Sequence, residues 1–182
     1  MPSKNVFLIG MPGVGKTTVG RLLALTLGQT FVDSDEEIVR RNGVEINTIF
    51  EIEGEAGFRE REVNVIREVT QRSPIVLATG GGVILREENR KALRENGIVV
   101  YLHASLDVLE ARTDKKRGSS NSTHQRPLLA GSDRRATLAA LLDIRQPLYR
   151  ETAHIIVDAN TTQRSKFMQK LLTAIESCRQ GA

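Results

Sequence analysis

Short apolar runs alternate along this chain with longer amphipathic stretches, and each run stops at a turn-forming segment. Residues 5–9 (NVFLI) form an apolar run that ends at a glycine-rich turn, the pattern of a fully buried parallel strand. Val19, Leu22, Leu23 and Thr26 then recur at helical spacing until Gly28 stops them. A second short strand is predicted over 30–32, followed by Ser34 as N-cap with Glu37 at capping-box distance and a helix to about Arg41. Residues 45–72 read as helical with a break at Glu53-Gly54-Glu55, and Val63, Ile66 and Val69 form the apolar stripe of the longer piece. Pro74 resets the chain, and a third strand over 75–78 runs into Thr79-Gly80-Gly81-Gly82. A charged helix over 86–95, a fourth strand over 98–102 and a short helix over 105–112 follow. The polar stretch 113–125 lacks apolar periodicity and reads as a mobile loop. Ser132 and Asp133 open a long helix to about Tyr149, whose end Pro147 should distort. A fifth strand over 154–157 and a closing helix over 165–177 complete the pattern, with no internal repeat or linker.

Strands alternating with helices predict an α/β fold, an open parallel sheet with helices on both faces. Such sheets bind ligands beyond the carboxyl ends of their strands. Here those ends carry Gly10 onward, Asp33 to Asp35, Gly80 to Gly82 and His103. A chain of 182 residues is the usual size of one domain, so a single unit spanning 1–182 is expected.

Composition narrows the function classes. With 40% apolar and 26% charged residues the chain has material for a core and a solvated surface. Aromatics are 4% and Trp is absent, which argues against a base-stacking platform or a membrane aromatic belt. The apolar run 6–9 is too short for a signal segment or a span, and the single Cys178 forms no internal disulfide, so a cytoplasmic protein is expected. Without secretion, the acceptor-like triplets at Asn121 and Asn160 carry no meaning. The net charge of +4 is concentrated: Arg112, Lys115, Lys116, Arg117 and Arg126 face only Asp114 between 112 and 126, leaving the rest of the chain neutral. One short basic segment suits a small polyphosphate better than a polynucleotide, and neither nucleic acid nor membrane is expected as a partner.

The strongest chemical signal is Gly10-Met11-Pro12-Gly13-Val14-Gly15-Lys16-Thr17, a gapless G-x-x-x-x-G-K-[ST] standing between a predicted strand and a predicted helix. Its glycines turn backbone N–H groups toward phosphates, the helix N-terminus adds positive potential, Lys16 reaches the β and γ groups, and the Thr17 hydroxyl offers a Mg²⁺ ligand. Neither 75–79 nor 98–103 ends in an acid that would help hold the metal. Asp33 and Asp35, after the second strand, are the candidates: one toward the metal's water shell, the other toward a substrate hydroxyl, with helix capping by Asp35 or Ser34 as the plainer reading. By itself Arg59 reads as a surface ion pair with Glu55 or Glu62. Gly80 to Gly82 read as a tight turn, although three successive glycines give up more chain entropy than a turn needs.

Taken together, the P-loop with Asp33-x-Asp35, Gly54-Glu55-Ala56-Gly57-Phe58-Arg59, Gly80-Gly81-Gly82, Arg126-Pro127-Leu128-Leu129, and Arg145 before Pro147-Leu148-Tyr149 resemble the shikimate kinases. The resemblance covers nearly the whole chain. It implies a three-layer P-loop fold like that of the nucleoside monophosphate kinases, with a five-stranded parallel sheet, a substrate-binding helical segment at about 34–62 and a mobile lid at about 113–127. The implied reaction is transfer of the ATP γ-phosphoryl to the 3-hydroxyl of shikimate, on the path to chorismate and the aromatic amino acids, by a monomer using ATP and Mg²⁺.

Shikimate is a small carboxylate with ring hydroxyls, so its site needs cationic donors at one end and acceptors at the other. Arg59 and Arg145 can supply forked donors, Asp35 can accept from and orient the hydroxyl, and Gly80, Gly81 and Gly82 allow close backbone approach. Gly13, Val14, Gly15, Lys16, Thr17 and Thr18 would bind ATP, with Thr17 and Asp33 at the metal and Lys16, Asp35 and Arg126 catalytic. By the resemblance, Arg126 closes over the phosphates as part of the lid and Arg112 stacks on adenine, where its plainer reading is a charge favouring a helix C-terminus. The second adenine-facing segment of the family corresponds loosely to 160–163, and Ser119, Ser120 and Asn121 lie in a longer lid with no assigned role. A gluconate or nucleoside monophosphate kinase on the same fold is the nearest alternative, and a nucleotide-dependent switch without catalysis is a further one.

Overall fold

The structure is a computed structural model that describes residues 5–117, 133–161 and 163–181. Strand β1 (Val6–Ile9) leads through a loop into α1 (Lys16–Leu27), then β2 (Thr30–Asp33) and α2 (Ser34–Asn42). Helix α3 (Ile46–Val69) precedes β3 (Ile75–Ala78), a 3₁₀ turn over Val83–Leu85 and α4 (Glu87–Asn96). Strand β4 (Ile98–His103), α5 (Leu106–Arg117), α6 (Arg134–Thr152), β5 (Ile155–Asp158) and α7 (Arg164–Gln180) follow.

The five strands form one parallel sheet in the order β2-β3-β1-β4-β5, with Val6 opposite both Val76 and Ile98. Every residue of β1 and β3 is buried, which is why both read as unbroken apolar runs, whereas the edge strands β2 and β5 are only partly covered. From β1 the chain passes to one side of the sheet, and from β3 it passes to the other, so the order reverses beside β1. The crevice of an open α/β sheet lies at that reversal, beyond the carboxyl ends of the strands. At the opposite end the buried Asn5 side chain takes the Ile75 N–H on Oδ1 and donates through Nδ2 to the carbonyls of Thr70, Arg72 and Asn96. It fixes the register where the strands begin.

Three expectations are corrected. Ser34 is not the cap of α2: Asp33 is, accepting the N–H groups of Asp35 and Glu36 on Oδ1, because the strand runs one residue further than its apolar pattern. Residues 113–117 are helical, continuing α5 to Arg117. Residues 113–117 are all polar, so apolar periodicity does not register them; earlier in the helix Arg135 bridges Asp107 and Glu110, and Arg112 reaches two carbonyls. Helix α6 runs past the expected end at Tyr149 to Thr152, with Pro147 inside it, and Arg94 donates to the carbonyls of Glu151 and Thr152 there. The rest of the polar segment, 118–132, lies outside the described residues.

The expected break in the long helix is real. Gly54 adopts φ 68° and ψ −173°, a conformation that only glycine enters readily, and it divides α3 into two pieces. Phe50 before the break stacks on Phe58 after it, with ring centroids 4.7 Å apart, and Arg61 reaches back to Glu53 at 2.9 Å and to the Asn42 side chain.

Helix α2, which carries Asp35, is anchored by Glu37. This carboxylate is buried and accepts from Arg40, Arg41 and Arg72, the last at 2.7 Å from the bend between α3 and β3. Hydrogen bonding from Arg40 opposes the effect of burial and, with Arg72 and Arg41, holds the Glu37 carboxyl down at about 2, from an ordinary 4.5. Because the folded value lies below the unfolded one, this stabilisation is full above pH 4.5 and disappears as the pH falls toward 2. Glu37→Gln is therefore expected to lower stability at pH 7 by about 1–3 kcal/mol, and the gap to the parent protein, read from urea midpoints, should narrow across that acid range.

Candidate active site

The P-loop occupies the turn between β1 and α1. Gly13 and Gly15 have φ of 82° and 106°, so the loop takes a path that side-chain-bearing residues resist. Gly15 precedes α1 without a side-chain cap, and no acidic residue stands in the first turn. The helix thus presents N–H groups and positive potential at its mouth. Lys16 is buried and folds over its own loop, donating to the carbonyls of Gly10 at 2.7 Å and Met11 at 2.9 Å. Val14 is buried, while Thr18, on the outer side of the first turn, is exposed.

Thr17 Oγ1 donates to Asp33 Oδ2 at 2.9 Å, while the other Asp33 oxygen caps α2. One carboxylate therefore joins the P-loop helix to the helix that carries Asp35. With its proton committed to Asp33, the Thr17 hydroxyl keeps its lone pairs for a cation. These are hard oxygen ligands, and among the described residues no group of three or more His, Cys, Asp or Glu converges into a cage. That set fits Mg²⁺, which takes few protein ligands and completes its shell with water and phosphate oxygens.

The second half of the site forms around the glycine turn after β3. Each glycine is met from a different helix. The Ser34 hydroxyl, at the start of α2, accepts the Gly80 N–H at 2.9 Å. Tyr149, fully buried on α6, donates its hydroxyl to the Gly81 carbonyl. The Arg59 guanidinium, from α3, lies on Gly82: a Cβ there would stand 2.3 and 2.6 Å from the two terminal nitrogens. Gly82 itself has φ −97°, so a side chain there would be opposed by the guanidinium in its present seat and not by backbone conformation.

Arg59 is 6% exposed. Its Nη1 donates to Glu62 Oε2 at 2.7 Å, and its Nη2 and Nε share Glu55 Oε1 at 3.1 and 3.3 Å. The two partners match the ion-pair reading, but the surface location does not: Glu62 is wholly buried, while Glu55 is 54% exposed. Asp35, in the first turn of α2, and Arg145, one turn before Tyr149 on α6, are buried as well. The P-loop, Asp33, Asp35, Arg59, Gly80, Gly81, Gly82 and Arg145 thus belong to the same end of the sheet.

Arg112 on α5 donates to the carbonyls of Val14 and Ala159, each at 2.8 Å, bridging the P-loop and the segment after β5. Both bonds lie in the guanidinium plane, which leaves the stacking faces out of these contacts. After β5, Asn160 accepts the Ser105 N–H at 2.8 Å, so this segment is tied to the start of α5. Arg126 and the Arg126-Pro127-Leu128-Leu129 sequence lie outside the described residues, as does most of the expected lid. Sequence reasoning missed the roles of Ser34 and Tyr149 and the burial of Glu62. The i, i+3 spacing pointed to the last of these only as a surface pair.

The family model for shikimate kinase matches residues 12–176. Shikimate kinase of Nitrosomonas europaea is 51% identical over 178 residues, 97% of this chain and 80% of that protein. A solved structure of shikimate kinase from Acinetobacter baumannii in complex with shikimate superposes with a TM-score of 0.87 at 46% identity, covering 95% of this chain and 93% of that one. A gluconokinase from Sinorhizobium meliloti superposes at 0.53 with 18% identity over 99% and 95% of the two chains, which is likeness of fold alone. With the P-loop, the glycine turn and the buried arginine in one crevice and the family match spanning all three, the chain belongs to the shikimate kinase family.

Proposed function

We propose that this protein transfers the γ-phosphoryl group of ATP to the 3-hydroxyl of shikimate, giving shikimate 3-phosphate and ADP. The observation that carries this reading is the Arg59 guanidinium seated on Gly82 beside a nucleotide loop. A buried cation on a side-chain-free turn is a receptor for a small anion with hydroxyls, and neither a base-reading pocket nor a simple switch asks for one.

In this reading the N–H groups of Gly13, Val14, Gly15, Lys16, Thr17 and Thr18 cradle the phosphates, and Lys16 exchanges its loop carbonyls for phosphate oxygens. Thr17 and Asp33 would hold a Mg²⁺ ion, which would neutralise phosphate charge when bound. Arg59 and Arg145 take the substrate carboxylate. The Nε/Nη2 edge of Arg59, the edge suited to bidentate binding, is met among the described residues by one oxygen of the exposed Glu55, which an incoming carboxylate can replace while Glu62 keeps its grip on Nη1. Asp35 accepts from the 3-hydroxyl and aims its oxygen at phosphorus. The proton leaves late in a loose transition state and passes to the Asp35 carboxylate. The hydroxyl oxygen forms the new P–O bond, the β,γ-bridging bond breaks, and ADP leaves. Arg112 supports adenine and Arg126 closes over the phosphates.

The chain works as one domain, with the segment at about 34–62 gripping the substrate and the one at about 113–127 covering it. ATP and shikimate are its partners, and it acts as a monomer in the cytoplasm. Among the described residues no helix is long and apolar enough to cross a membrane, and the single cysteine suits a reducing compartment.

ADP release measured in parallel with shikimate, gluconate, AMP and CMP should appear only with shikimate; turnover of another acceptor in its place would overturn the reading. Asp35→Asn is expected to lower kcat by about 10²- to 10⁴-fold while the KM for ATP stays within about threefold, as steady-state kinetics will show. Gly82→Ala forces the Arg59 guanidinium from its seat and should raise the KM for shikimate about 10- to 100-fold, the cost of misplaced charge-assisted bonds, with little effect on ATP.

A further inference from the structure

Tyr149 is unaccounted for by this mechanism. It is fully buried and lies one helical turn beyond Arg145 on α6. Its ring stacks on Tyr101 of β4, with centroids 4.9 Å apart and planes inclined by 22°. Its hydroxyl donates to the Gly81 carbonyl, and the Met11 sulfur of the P-loop lies 4.0 Å from the same oxygen. A phenol has one proton, and the carbonyl is the better acceptor, so the sulfur is a packing contact.

The peptide joining Gly81 to Gly82 is trans, so its C=O and N–H point in opposite directions. Holding the Gly81 carbonyl toward Tyr149 therefore turns the Gly82 N–H the other way. The Gly80 carbonyl accepts the Val83 N–H at 3.2 Å and the Gly82 carbonyl the Leu85 N–H at 3.0 Å; these bonds close the turn around the peptide, but a Gly–Gly pair still admits either of its two orientations. The phenol spans the space between α6 and the turn, and the stack on Tyr101 fixes its ring.

We infer that Tyr149 is a positioning residue for the acceptor substrate: it orients the Gly81–Gly82 peptide as a backbone donor and locks α6 so that Arg145 faces the same ligand. The inference rests on the proposed shikimate site and adds to it a residue that touches neither substrate. Tyr149 acts through the glycine turn on one side and through Arg145 on the other, so its effect falls on shikimate and not on ATP.

The test is Tyr149→Phe, which keeps the ring and its stack and removes only the hydroxyl, with Tyr101→Phe as the comparison for loss of a hydroxyl in the same stack. Steady-state kinetics and calorimetric binding of shikimate and of ADP are measured on the full chain. Expected for Tyr149→Phe is an approximately 3- to 10-fold weaker shikimate KM and Kd, with ADP affinity and the KM for ATP within twofold, and no such split in Tyr101→Phe. Unchanged shikimate binding, or equal losses for both ligands, would overturn the inference. A parent protein inert toward shikimate would overturn the functional reading and this inference with it, whereas an active parent and an unaffected Tyr149→Phe overturn this inference alone. If the variant does not fold, difluorotyrosine at position 149 keeps the ring and makes its hydroxyl a stronger donor. A shift in shikimate affinity of twofold or more with ADP affinity unchanged supports the inference, and no shift overturns it.

Discussion

The arrangement of the acceptor half depends on one buried ion pair, Arg59 with Glu62, pressed onto Gly82. Removing a guanidinium and a carboxylate from water costs several kcal/mol each, and their attraction at 2.7 Å roughly offsets that cost without clear surplus. Two apolar side chains of similar size would fill the space as well or better. What apolar residues cannot do is hold a cation at a fixed place with one edge turned to an exposed, replaceable partner. The pair is therefore better understood as placement than as stabilisation, and the same holds for Gly82, whose missing side chain is the seat on which the cation rests.

Around that pair the glycine turn acts as a junction. Gly80 is held by Ser34 of α2, Gly81 by Tyr149 of α6, and Gly82 by Arg59 of α3, so three elements distant in sequence converge on three consecutive residues. The nucleotide loop is tied in the same manner: Thr17 to Asp33, Val14 to Arg112, and Met11 against Tyr149. Backbone groups are the points of attachment at Gly80, Gly81 and Val14, and side chains at Thr17 and Met11. A packed interior resists small displacements, so ligand-facing groups fixed in this way keep their positions without relying on loop stiffness.

Much of this was legible in the sequence because burial and period coincide there. The strands β1, β3 and β4 are buried almost end to end and read as apolar runs. The P-loop has a spacing dictated by phosphate geometry, and the kink in α3 is announced by its glycine. Other features were hidden for physical reasons. Capping of α2 by Asp33 depends on where β2 ends, which pairing with Ala78 decides and not residue type. The extension of α5 over 113–117 carries no apolar residue, so hydrophobic periodicity is blind to it. Arg59 looked like a surface residue because an i, i+3 pair has the same sequence whether solvent or a glycine turn lies beside it. Tyr149 stood out only as part of the motif after Arg145, with no role of its own, since a tyrosine on an apolar helix face announces burial but not where its hydroxyl goes.

On the proposed assignment the site faces an electrostatic problem, since it must bring two anions together. Unit charges about 8 Å apart at an effective dielectric of about 20 repel by about 2 kcal/mol, and a triphosphate carries several. Hydroxyl orientation by Asp35 adds a further negative group. The described structure answers by giving each anion its own cations on separate elements: Lys16 and the α1 N-terminus at the phosphate end, Arg59 and Arg145 at the acid end. Their carboxylate partners are arranged so that the local balance stays near neutral before ligands arrive, with Glu62 on Arg59 and Asp33 beside Thr17. The chain's excess positive charge, counted from the sequence, lies between 112 and 126 and not among these residues. The resident groups named here thus set geometry and do not by themselves supply a surplus of positive charge.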